Sequence, residues 1–92
     1  MSMLLVGYDL NRTGQEYAKV IEYLEGYGTY WHHLDSTWLI KTSKSCADVI
    51  DEMRAKKLID SNDEILVVNI TGDNAAWYGF SEKGSAWLKK NL

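Results

Sequence analysis

The chain lacks proline and has a single cysteine, Cys46. One cysteine cannot form an internal disulfide, which favours a reducing compartment, and we expect Cys46 to be a small apolar residue at a helix start. No apolar run approaches the roughly 20 residues that span a bilayer, and no signal peptide precedes the first apolar segment. We therefore expect a cytoplasmic protein that does not associate with a membrane.

Positive charge is also scarce, since 10 Lys and Arg residues stand against 13 Asp and Glu residues and the net charge is −3. This balance does not favour nucleic-acid binding, which usually uses a basic surface, although a local basic patch remains compatible with it. Hydrophobic residues make up 46% of the 92-residue chain, which is enough for a core. A chain of this length predicts one domain, residues 1–92.

The spacing of apolar and turn-forming residues predicts four strands and three helices. The predicted strands are 3–10, 29–33, 37–41 and 64–71. Capping residues mark the helix starts, and they are Thr13, Ser45 and Ser81. The last helix belongs to a C-terminal tail, residues 72–92, in which we expect Trp87 and Leu88 to pack inward. The order of elements is the βαββαβ pattern of an α+β, ferredoxin-like fold followed by a helical tail.

The first and last strands are apolar on both faces, and we expect both at the centre of the sheet. Right-handed crossovers place the two helices on one face only, so the other face needs a second cover. Either the tail or a second copy of the chain can supply that cover. The pattern favours a symmetric homodimer packed sheet to sheet.

Asp9 is the first candidate for chemistry. It ends the first apolar strand and precedes the turn-forming segment Asn11-Arg12-Thr13-Gly14. Open sheets tend to place functional groups at the carboxyl ends of strands. A carboxylate there is costly to desolvate unless a donor, a cation or a metal ion meets it. The alternative interpretation is that Asp9 only caps the turn that follows.

A second polar cluster contains His32, His33 and Asp35. Adjacent strand residues point to opposite faces, so the two histidines cannot easily share one metal ion. One histidine could act as a general acid in RNA cleavage. The interpretation we favour is that both histidines are half-buried residues of a hairpin, packed among the neighbouring aromatic rings. Lys56 and Lys57 end the second helix, where cations suit the helix dipole and need no ligand; the alternative is a patch that contacts phosphate.

Three segments carry a family resemblance: Leu4-Leu5-Val6-Gly7-Tyr8-Asp9-Leu10, Asp35-Ser36-Thr37-Trp38-Leu39-Ile40 and Asp60-Ser61-Asn62-Asp63-Glu64-Ile65-Leu66-Val67-Val68. The first resembles the apolar strand ending in Tyr-Asp-Ile/Leu with which proteins of the small CRISPR-adaptation family Cas-two begin. The second resembles that family's Ser-Val-Phe-Glu segment, and the third its acidic turn before the last core strand. The VapD-type ribonucleases and the SinR-like proteins are relatives of the same family.

The resemblance implies a homodimer in which the strand-end aspartates of both subunits share a divalent metal ion. That role falls on Asp9, with Ser36 and Thr37 at the family's polar position beside the metal. The implied function is a Mg²⁺-dependent endonuclease acting on RNA or DNA, with Asp9 and Ser36 as catalytic residues and Asp9 as metal ligand. The alternative is a non-catalytic dimeric scaffold or a protein-interaction module of a mobile-element or defence system. Of the basic residues that the family is expected to have after the aspartate for holding a nucleic-acid backbone, only Arg12 is present, which weighs against the scaffold, and enzymatic activity stays open on the sequence alone.

Overall fold

The computed structural model describes residues 1–10 and 15–92, and in this part of the chain four strands and three helices follow one another in the predicted order. The strands are β1 (Ser2–Asp9), β2 (Tyr30–Leu34), β3 (Thr37–Thr42) and β4 (Glu64–Asn69). The helices are α1 (Gln15–Glu25), α2 (Cys46–Ala55) and α3 (Glu82–Asn91). The architecture is therefore α+β. The predicted capping box at Thr13 lies outside the described residues.

The four strands form one antiparallel sheet in the order β2-β3-β1-β4. In β1, Leu5 lies opposite Leu39 of β3 on one side and opposite Val68 of β4 on the other. The expectation that β4 lies at the centre is wrong, because β4 is an edge strand and its Leu66 is 62% exposed. An apolar run marks a strand, but which neighbours pair with that strand depends on the whole chain.

The first face of the sheet packs against α1 and α2 and contains the larger of two apolar clusters. Alternate residues of β1 point toward this face, while Val20 and Leu24 of α1 meet them at the four-residue spacing of a helix stripe. Val49 and Met53 of α2 follow the same spacing and are fully buried. Both helices therefore bury one stripe of apolar residues against this face of the sheet.

Two helices begin where their capping residues predicted. The Ser45 hydroxyl accepts a hydrogen bond from the Asp48 amide at 3.1 Å, and the Ser81 hydroxyl accepts one from the Gly84 amide at 3.2 Å. Each bond satisfies an amide that the first helical turn leaves without a partner. No helix formed by the described residues is long and apolar enough to cross a membrane.

The second face of the sheet is covered in part by the C-terminal tail. Leu88 of α3 packs with Trp31, Leu39 and Met3 of the sheet, and all four are buried. The Trp31 indole donates a hydrogen bond to the Gly84 carbonyl at 3.1 Å, so α3 lies directly on β2. A β-carbon at Gly84 would meet the His33 ring at 3.2 Å, so a larger residue here would require a small shift of that ring. The predicted inward packing of Trp87 and Leu88 is confirmed.

Candidate functional site

The tail leaves one part of the second face uncovered. Three apolar side chains there are exposed, and we term them the open patch: Leu34, Leu66 and Val68. The register places Leu66 opposite Gly7, Gly7 opposite Thr37, and Thr37 opposite Leu34, so one row crosses the whole sheet. Opposite residues of paired strands share a face, so Gly7 and Thr37 lie at the centre of this row and the two leucines lie at its ends.

Asp9 lies at the margin of the open patch. It is the last residue of β1, it is exposed, and it pairs with Glu64, the first residue of β4. Because the strands are antiparallel, the carboxyl end of β1 meets the amino ends of β3 and β4. A shallow depression of about 470 Å³ is lined by Gly7, Tyr8, Asp9, Glu64, Ile65 and Leu66. The predicted strand-end position of Asp9 is confirmed.

Glu64 is the site residue that sequence reasoning missed. Its only signal was its position at the start of an apolar strand, and that position acquires meaning once β4 pairs with β1. Two carboxylates on opposite positions of one sheet face repel each other unless a cation lies between them. Among the described residues, no hydrogen bond or ion pair reaches the Asp9 carboxylate.

Ser36 reaches the same end of the sheet through its backbone. It lies in the turn between β2 and β3, and its carbonyl accepts a hydrogen bond from the Tyr8 amide at 3.1 Å. In the described part of the chain, no hydrogen bond joins the side chains of Ser36 and Asp9. The geometry therefore brings Ser36 beside the strand end but gives its hydroxyl no contact with the carboxylate.

One chain offers a sparse set of metal ligands at this end. Residues 1–10 and 15–92 contain no group of three or more His, Cys, Asp and Glu side chains placed to hold a metal ion. Asp9 and Glu64 are two carboxylates, and Mg²⁺ is commonly bound by one or two carboxylates with several waters retained. The alternative role of Asp9 as a turn cap, and the contribution of Arg12, fall on residues outside those described.

The two histidines lie on opposite faces of β2, as predicted. The His32 ring stacks on Trp38 with 3.8 Å between ring centroids, and its Nε2 is 3.0 Å from the Asp35 carbonyl oxygen, to which it donates. The His33 ring packs against Trp31 on the other face, at 5.1 Å between centroids. These contacts favour the packing interpretation over a role as general acid; His32 is half-buried as expected, whereas His33 is exposed.

A second polar network, which the sequence did not reveal, joins α1, α2 and the loop between β3 and α2. The Tyr23 hydroxyl donates to Glu52 Oε1 at 2.6 Å, and Lys44 Nζ donates to the same oxygen at 2.7 Å. Tyr23 uses its only proton on Glu52, so the hydrogen bond of 2.6 Å between Tyr27 and Tyr23 has Tyr27 as donor. Burial, and then the hydrogen bond to Glu52, raise the pKa of the Tyr23 hydroxyl well above its usual range.

Alkaline pH should destabilise the protein partly through Tyr23. Its raised pKa means that the folded state holds the proton more tightly than the unfolded state does. The stabilisation is therefore complete below the ordinary tyrosine pKa of 10.0 and is lost as the pH rises above it. Urea unfolding at pH 8 and pH 11 should show a smaller loss of stability in Tyr23→Phe than in the wild type. Equal losses in the two proteins would contradict the assignment.

Comparison of the chain with protein-family models, with curated proteins and with solved structures finds no match.

Proposed function

We propose that the chain is a Cas-two-like, ferredoxin-like homodimer that binds Mg²⁺ through Asp9 and cleaves phosphodiester bonds of RNA or DNA. The observation that carries the proposal is the pairing of Asp9 with Glu64 at the margin of the open patch. The antiparallel strand order β2-β3-β1-β4 supports the ferredoxin-like part of the proposal, since it interleaves two β-α-β units in one sheet.

The open patch supports the dimer. Leu66 and Val68 are exposed apolar residues on an otherwise well-packed sheet, and a surface of this kind marks an interaction site. A second copy is the proposed occupant, because a two-fold axis through this face places the same residues of both chains against each other. With the axis near Gly7, each subunit would bring Asp9 and Glu64 to the rim of the interface.

The dimer would complete the ligand set that one chain lacks. Two copies supply two pairs of carboxylates, and these carry enough oxygen atoms to hold Mg²⁺ together with bound waters. When bound, Mg²⁺ would supply activation of a water molecule and neutralisation of charge on the phosphodiester. Asp9 and Glu64 would hold and orient the ion, while the hydroxyls of Ser36 and Thr37 would position the attacked phosphate.

A second candidate function is a protein-interaction module without catalysis. The same open patch supports it, together with the net charge of −3, which opposes the approach of a nucleic-acid backbone. The two functions differ in one measurable respect, because only the first requires the carboxylates at the strand ends.

The test compares the wild type with Asp9→Asn and Glu64→Gln, with Asp73→Asn as a control at another exposed carboxylate. Labelled RNA and DNA are incubated with Mg²⁺, with Mn²⁺ and with EDTA, and thermal melts are recorded under the same conditions. Asp9→Asn should lower metal-dependent cleavage by about 100-fold or more, since a metal ion contributes several kcal/mol to the transition state. It should also remove the rise in melting temperature that Mn²⁺ gives the wild type by mass action.

Leu66→Asp separates the dimer from the metal site. Light scattering should report twice the chain mass for the wild type and the mass of one chain for this variant. The rate of nucleic-acid cleavage by the variant should fall as the dimer is lost. Wild-type cleavage in Asp9→Asn would refute the catalytic assignment. Cleavage absent from every preparation, with a dimer lost in Leu66→Asp, would favour the interaction module.

A further inference from the structure

A cleft of about 420 Å³ lies at the end of the sheet opposite to Asp9. It is formed where α1 ends, where the loop between β3 and α2 begins, and along the last turn of α2. We term it the lysine cleft, and its lining residues are Met1, Tyr23, Gly26, Tyr27, Lys41, Thr42, Ser43, Lys44, Glu52 and Lys56. The eight residues of β1 separate it from Asp9 by about 23 Å, at the usual rise of a strand.

The charge of the lysine cleft is opposite to that of the whole chain. Lys41, Lys44 and Lys56 line it with a single carboxylate, Glu52, whereas the whole chain carries a net charge of −3. The hydrogen bond from Lys44 is the first cause that holds the pKa of Glu52 below its usual range, followed by the bond from Tyr23, and the charge of Lys56 contributes to the same lowering. Cations therefore surround the one carboxylate, and the cleft as a whole is positive.

The polar network keeps Lys44 in place on the wall of the cleft. Its ammonium lies 2.7 Å from Glu52 Oε1 and 5.2 Å from the centre of the Tyr27 ring. An ammonium group has three N–H donors, and its hydrogen-bond partners among the described residues are Glu52 and Tyr27. The hydroxyl of Ser43, on the same wall, is exposed to solvent. A ligand in the cleft would thus meet an oriented cation and a further hydroxyl donor.

We propose that the lysine cleft binds a small phosphate-bearing anion, of the phosphate monoester class. A compact anion fits a cleft of about 420 Å³, and the net negative charge of the chain disfavours the extended backbone of a nucleic acid. The proposal is independent of the Asp9 site, which lies at the other end of β1.

The test is an NMR titration of the full chain with inorganic phosphate at low ionic strength, with sodium chloride at matched ionic strength as the reference. Three proteins are compared with the wild type: Lys41→Gln/Lys56→Gln, Lys89→Gln/Lys90→Gln and Glu52→Gln. The second removes the same charge from the exposed end of α3. The third keeps an oxygen for Tyr23 but removes the negative charge.

Phosphate should give saturable shifts at the amides of Gly26, Ser43 and Lys44 in the wild type. Lys41→Gln/Lys56→Gln should weaken phosphate binding by at least about fivefold, whereas Lys89→Gln/Lys90→Gln should leave it within about twofold of the wild type. Glu52→Gln should strengthen it by a similar factor of about five, because the nearest negative charge is gone. Shifts that chloride reproduces, equal weakening in both double variants, or weaker binding in Glu52→Gln would each overturn the proposal.

Discussion

Replacement of Trp38 by alanine should cost about 3–5 kcal/mol of folding free energy, which is a large part of the stability of a domain this small. Trp38 is 0% exposed and has the largest of the fully buried side chains. Its indole donates a hydrogen bond to the Tyr8 hydroxyl at 3.0 Å, and the His32 ring stacks on it. The substitution therefore leaves a cavity and removes a buried hydrogen bond. Urea unfolding followed by circular dichroism measures the loss.

Tyr78 offers a matched control for an aromatic-to-alanine change. Its side chain is 97% exposed, so Tyr78→Ala should change stability by less than about 0.5 kcal/mol. The loss of folding free energy in Trp38→Phe should lie between those of Trp38→Ala and Tyr78→Ala, because phenylalanine keeps a buried ring but lacks the indole donor. If Trp38→Ala costs no more than Tyr78→Ala, the core on the helix side of the sheet is not organised around Trp38.

Deletion of residues 81–92 should lower the melting temperature by about 10 °C or more. The deletion removes Leu88 and uncovers Met3, Trp31 and Leu39, which are all buried under α3. It also removes the Gly84 carbonyl that accepts the hydrogen bond from Trp31. Exposure of this much apolar surface should also promote association, which light scattering detects.

A point substitution tests the same contact without shortening the chain. Leu88→Ala should cost about 2–4 kcal/mol, whereas Lys89→Ala, one residue further along α3 and exposed, should be nearly neutral. A truncated chain with the melting temperature of the wild type would show that the tail adds nothing to the stability of the sheet.

The contrast between α2 and β4 shows which features can be predicted from the sequence. The start of α2 depends on Ser45 and on an amide three residues later, and its buried stripe depends on a four-residue spacing. Both are local, so the pattern was sufficient. The position of β4 in the sheet depends on its pairing with β1, a contact between distant parts of the chain, and its apolar composition led to the wrong expectation of a central strand.

The candidate site divides in the same way. The amino-acid pattern was enough to predict the order of the elements, the caps of α2 and α3, and the place of Asp9 at the end of an apolar strand, because these follow from neighbouring residues and from the periods of helix and strand. Three further features depend on contacts between distant parts of the chain: Glu64 lies opposite Asp9, the tail covers part of the second face, and Tyr23, Lys44 and Glu52 meet. Those contacts depend on strand register and on helix docking, which are set by burial of the whole chain rather than by any short segment.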